Sequence, residues 1–145
     1  MAFVVDDGTG NPTAYVLTQF TPAIEWKPLV NVVGGGSLGY GAGSGGTVTQ
    51  ATSKATTVTL NKPTGDITMN NAALAAGASV IFTLNNSLIN FYDTCITNPR
   101  ATNNYDVRCI NCSSGAATIR VTNITGGTLS ESFGINFTLI KGSPI

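Results

Sequence analysis

The sequence predicts an all-β protein: a β-sandwich, jelly-roll or immunoglobulin-like, preceded by an extended N-terminal arm and a Gly-rich linker. Three observations predict it. Apolar and polar residues alternate with a period of two in run after run between residues 56 and 139, the pattern of strands with one face on a core and one in water. Gly, Asn, Pro and Ser punctuate those runs, as they do between short strands. A single stretch, Asn71-Ala-Ala-Leu-Ala-Ala-Gly77, tempts a helical reading, and a helix that short is marginal alone, so at most one turn is expected there.

Taken in order, residues 1–33 open the chain with Phe3, Tyr15, Phe20, Trp26 and Leu29 among polar neighbours and a Gly8-Thr-Gly-Asn-Pro12 turn cluster. A stretch of about 30 residues cannot build a core of its own. We therefore read it as an arm that docks on another chain, with Phe3, Phe20, Trp26 and Leu29 as the partner-binding anchors. An additional strand on the same domain is the plainer alternative. Residues 34–46, Gly-Gly-Gly-Ser-Leu-Gly-Tyr-Gly-Ala-Gly-Ser-Gly-Gly, form the linker. Residues 47–145 form the sandwich domain.

Within that domain each strand has its own signature. Thr56-Thr-Val-Thr-Leu-Asn61 alternates and stops at the Lys62-Pro63-Thr64-Gly65 turn. Asp66-Ile-Thr-Met69 alternates and ends at Asn70-Asn71. Val80, Phe82 and Leu84 share a face. So do Tyr105, Val107 and Cys109, with Asp106 and Arg108 opposite. Ala117, Ile119 and Val121 form the next apolar set, and Phe133, Ile135, Phe137 and Leu139 the last and cleanest.

Composition narrows the chemistry. Charged residues are 10% of the 145, against roughly 25% in an average soluble domain. Seven bases balance seven acids with no run of either sign, which argues against nucleic acid as a partner. There is no histidine, so imidazole-based triads and metal sites are excluded. Hydrophobic residues reach 42% and the mean hydropathy is +0.20, unlike a disordered chain. No stretch gives about 18 consecutive apolar residues, and the acidic start at Asp6-Asp7 does not resemble a secretory signal. A protein made in a cytoplasm, with no membrane partner, is expected.

The motifs that could carry chemistry have plainer readings. Cys109-Ile-Asn-Cys112 is a C-x-x-C. Zinc would need two further ligands, and among cysteines and histidines only Cys95 remains. A redox pair would open a helix after a strand, whereas Cys109 falls in a strand and Cys112 beside the Ser113-Ser114-Gly115 turn. We expect a buried small hydrophobe and a turn thiol. Gly41-Ala-Gly43-Ser-Gly45-Gly46 matches a dinucleotide fingerprint literally, but no helix and no suitably spaced acid follow. Asp6-Asp7 lack ligand spacing for a hard cation, and Glu131 lacks a partner acid. No catalytic, cofactor-binding or metal-binding residues are assigned. Asn-x-Ser/Thr at Asn85, Asn111, Asn123 and Asn136 carries no glycosylation reading without a secretory route.

Residues 39–142 resemble a structural module of tailed-bacteriophage virions. The resemblance rests on Gly39-Tyr-Gly-Ala-Gly leading into Gly46-Thr-Val-Thr-Gln50, then Val58-Thr-Leu-Asn-Lys-Pro63 and Ile67-Thr-Met-Asn-Asn-Ala-Ala-Leu-Ala-Ala-Gly77. Phe82-Thr-Leu-Asn-Asn-Ser87, Gly127-Thr-Leu-Ser-Glu131 and Asn136-Phe-Thr-Leu-Ile-Lys141 complete it. Residues 90–112 depart from the pattern, and residues 1–33 lie outside it. The resemblance implies a small virion protein or the end of a tail fibre, with no catalytic residues to carry over. The expectation is a capsid decoration or cement protein on the virion surface. Its partner would be the major capsid protein, and it would form a homotrimer placed at a local threefold. The alternative is a tail-fibre or receptor-binding module contacting a host-surface glycan through loops such as residues 98–104.

Overall fold

A computed structural model describes residues 2–5, 13–17, 26–30, 32–33 and 37–143, with the side chains of residues 39–143. It is divided into two compact units, Met1–Gly43 and Ser44–Ile145, the division falling inside the Gly-rich stretch. Among the described residues there are only strands, turns and loops, with no helix.

In the first unit β1 (Ala2–Val5), β2 (Thr13–Leu17) and β3 (Trp26–Val30) form an antiparallel sheet in that order. β4 (Val32–Val33) pairs with β5 (Ser37–Leu38). The stretch read as an arm thus holds strands that pair with one another, and part of the stretch read as a linker is paired as well.

The second unit carries β6 (Thr47–Thr49), β7 (Val58–Thr59), β8 (Thr64–Thr68), β9 (Ser79–Asn85), β10 (Thr94–Arg100), β11 (Tyr105–Ser113), β12 (Ala116–Asn123) and β13 (Gly134–Ile140). They form two four-stranded sheets, ordered β10-β13-β8-β6 and β11-β12-β9-β7. The sheets are built alike. Each has three antiparallel strands and one short edge strand added in parallel, β6 along β8 and β7 along β9. Parallel neighbours cannot be joined by a tight hairpin; here the chain crosses to the other sheet between them, and it keeps crossing from β6 to β11.

One core lies between the sheets, as in a β-sandwich. Ile67, Ile135, Phe137 and Leu139 enter it from one side, and Phe82, Leu84, Val107, Ala117, Ile119 and Val121 from the other. Each fully buried large side chain of this kind contributes about 1.5–3 kcal/mol by leaving water. Gly65 on β8 sits opposite Phe137 on β13. A Cβ there would come within 2.7 Å of Leu60 and 2.9 Å of the Phe137 ring, so the large ring is accommodated by the missing side chain.

One expectation holds and two are corrected. Residues 71–77 stay within the expected limit of one turn and hold no helix: Leu74 makes an isolated bridge with Leu129. The two protons of the buried Asn123 amide are shared among the Leu74 (2.9 Å), Ala75 (3.2 Å) and Gly127 (2.7 Å) carbonyls. The strand expected over residues 56–61 shortens to Val58–Thr59 because its only ladder is the short parallel pairing with β9. Residues 98–100, read as part of an outer loop, lie on β10 and pair with β13. Pro99 is tolerated there because β10 is an edge strand.

Candidate functional site

Of the four expected anchors, Phe3 lies on β1 in register with Tyr15, and Trp26 lies on β3 in register with Leu17. Leu29 falls at the register shift between the Ala14–Val30 and Tyr15–Pro28 pairs. Phe20 lies outside the described residues, as do Asp6 and Asp7.

On the sandwich an apolar strip marks the outer face of the β10–β13 pair. Ile96 and Ile140 are about half exposed and diagonal to each other across the Thr94–Ile140 and Ile96–Thr138 pairs. Phe91 (68% exposed) and Tyr92 (57%) precede β10, their rings meeting edge-on at 5.4 Å. Tyr92 is held beside the end of β13, since a Cβ on Gly142 would strike the Tyr92 carbonyl. The anchors expected from the sequence all lie in residues 1–33. The adjacent Phe91-Tyr92 pair was the available signal, because two consecutive aromatics in a polar loop seldom both find a core.

The three cysteines meet. Cys109 and Cys112 are both on β11, half-buried, with sulfurs 3.8 Å apart. This differs from the expected core hydrophobe and turn thiol, and the cause is a β-bulge. Cys109 pairs with Ile119, Asn111 with Thr118 and Cys112 with Ala117, leaving Ile110 as the additional residue. In an unbroken strand residues three apart face opposite sides. The bulge puts both cysteines on one side, and Ile119 and Ala117 behind them are buried. Buried Cys95 comes from β10, the edge of the other sheet. The three line a shallow cavity of about 210 Å³ with Asp93, Thr94, Ile110 and Asn111.

The electrostatics of the cluster favour one thiolate. A hydrogen bond from Cys95, joined by one from Cys112 and set against the opposing effect of burial, brings the Cys109 thiol down to about 6. The same bond to Cys109, together with burial, pushes the Cys95 thiol far up. Burial and the charge on Cys109 push Cys112 up to about 11. Beside the cavity, the Asp93 carboxylate is fully buried. It accepts from the amides of Asn90 (2.7 Å) and Gly142 (2.9 Å) and from the Lys141 ammonium. Burial alone would raise its pKa; the Lys141 ammonium and the two amides hold it below the usual value.

A second polar cluster is enclosed. Lys54, 3% exposed, donates to the carbonyls of Asn70 and Glu131 (2.7 Å for the latter). Its ammonium lies 5.9 Å and 5.7 Å from the ring centres of Tyr105 and Phe133, which stack at 4.1 Å. Burial lowers its pKa, opposed by the charge of Glu131. Closed to solvent, this cation ties two loops together and has no route to a substrate.

The acids of the sandwich are engaged. Asp66 pairs with Arg100, Asp106 with Arg108 and Asp93 with Lys141, and Glu131 accepts from Asn104 at 3.1 Å. Among the described residues no group of three or more His, Cys, Asp or Glu is arranged to hold a metal ion. No helix among them is long and apolar enough to cross a membrane. No family model, no curated protein and no solved structure matches the chain.

Proposed function

We propose that this chain is a structural protein of a tailed-phage virion, a decoration or cement protein on the outer capsid surface, rather than an enzyme. The observation that carries the reading is the exposed apolar strip of Phe91, Tyr92, Ile96 and Ile140 on a chain of zero net charge. Such a surface lacks the charge that keeps small proteins apart, and it suits repeated contacts within an assembly. The motif resemblance over residues 39–142 supplies the virion context.

In this reading the strip contributes to a homotrimer, while Phe3, Phe20, Trp26 and Leu29 anchor the first unit on the major capsid protein. Binding that favours the assembled shell stabilises it by mass action. Within the sandwich class we place the fold nearest a jelly roll, because successive strands alternate between sheets. Its parallel edge strands are a departure from that pattern.

The test is the number of copies of this chain per purified virion, measured by mass spectrometry against the major capsid protein. Hundreds of copies in fixed ratio to the shell protein are expected. A handful to a few tens would overturn decoration and favour a tail-fibre component. A variant lacking residues 1–33 should keep a cooperative sandwich and lose shell binding.

A further inference from the structure

We infer that Cys109 and Cys112 form a thiol–disulfide exchange pair, with Cys109 as the attacking sulfur, Cys112 as the resolving sulfur, and a low-molecular-weight disulfide as the oxidant. This is independent of the virion reading. Three features of the geometry carry it. The Ile110 bulge aligns the two side chains on one side of β11. Their sulfurs are already in contact at 3.8 Å, the approach that a disulfide bond of about 2.05 Å requires. Both line a shallow depression open to solvent, so an attacking sulfur there can be reached from outside.

The steps balance. The Cys109 thiolate attacks one sulfur of the reagent disulfide; that S–S bond breaks, and the departing thiolate takes a proton from water. Cys109 now carries a mixed disulfide and no charge. Burial and the Cys109 charge had both kept Cys112 protonated, and the second cause is gone. Cys112 loses its proton to solvent and attacks the Cys109 sulfur. The Cys109–Cys112 bond forms and the second reagent thiol leaves. One protein dithiol is oxidised, one reagent disulfide is reduced to two thiols, and excess reagent thiol reverses the sequence.

Cys95 takes no part as a nucleophile. It is buried, and the neighbouring Cys109, together with burial, holds its thiol protonated. Its work is positioning: it stabilises the attacking thiolate from the opposite sheet.

The test uses the intact folded chain and oxidised glutathione. Free thiols are alkylated, and the protein is digested with trypsin and weighed. Cleavage after Arg108 and Arg120 leaves Cys109 and Cys112 on one peptide, with Cys95 on another. The expected result is a Cys109–Cys112 peptide lighter by two hydrogens and unalkylated, with Cys95 alkylated, reversed by reduced glutathione. Cys112→Ser should stop at the mixed disulfide on Cys109, and Cys109→Ser should lose the reaction. Persistence of all three thiols in the wild-type protein, a link involving Cys95, or a mixed disulfide on wild-type Cys109 that never resolves would each overturn the inference. The wild-type map decides this even where a variant folds poorly.

Discussion

The Thr97 hydroxyl accepts the Cys109 amide proton at 3.1 Å and reaches the Val107 carbonyl at 3.4 Å. Thr97 is on β10 and Cys109 on β11, edge strands of two sheets that share no ladder. One side chain therefore stands in for a strand partner where the sandwich closes, and it does so beside the thiol cluster. Thr97→Val keeps the shape and removes the hydroxyl. The Cys109 amide then loses its partner, and stability should fall by about 1–2 kcal/mol, read from denaturant midpoints at unchanged slope.

The cluster also predicts a pH profile. The groups facing Cys109 are Cys112 on its own strand, Cys95 on β10, and Asp93 with its partner Lys141 at the cavity. Of the three thiols only that of Cys109 is held low, at about 6. Alkylation of the folded protein should be slow below that pH, rise through it and level off above, with a single site modified at neutral pH. A profile centred near the ordinary cysteine value of about 8.5 would show that the hydrogen bond from Cys95 does not stabilise the thiolate.

Tyr105 offers the opposite sign. Its ring stacks on Phe133, while its buried hydroxyl finds no hydrogen-bond partner among the described residues. Tyr105→Phe keeps the stack and removes the orphan, so stability should stay level or rise by about 1 kcal/mol. A loss on thermal or denaturant unfolding would reveal a partner for the hydroxyl.

Asp93 governs the acid limb. Its carboxylate pKa is lowered in the folded chain, through Lys141 and two backbone amides that outweigh burial. Its contribution is therefore complete above the ordinary carboxylate value of about 4 and is lost as pH falls through the lower, folded value. The Lys141 hydrogen bond is the largest lowering cause, followed by the amides of Gly142 and Asn90; Lys141 is 58% exposed, so solvent screens its share. Asp93→Asn should cost about 1–3 kcal/mol at neutral pH. It should also flatten stability against pH below about 4, an outcome that unfolding measured across that range would check.

Much of the sandwich was legible because burial on one face writes itself into the sequence at every second residue. Phe133, Ile135, Phe137 and Leu139 are all buried, as are Phe82, Leu84, Ala117, Ile119 and Val121. β10 was not legible. Its Asn98 and Pro99 read as a loop, and only an edge position, settled by which strand takes it as neighbour, makes them acceptable in a ladder. Buried polar residues were equally hidden in the sequence. Asn86 and Asn123 look like surface residues, yet both are fully buried. There they supply hydrogen bonds to turns of neighbouring segments.

For the candidate site the division is sharper. By itself the sequence determined an all-β chain with no histidine, little charge and one C-x-x-C. Those are properties of residue types and of spacing along a strand. Whether Cys109, Cys112 and Cys95 meet was decided only in three dimensions. An additional residue at Ile110 reverses which side Cys112 takes, and the packing of β10 beside β11 brings Cys95 from another sheet. Bulges and sheet-to-sheet contacts arise between strands far apart in the chain, so no local pattern encodes them.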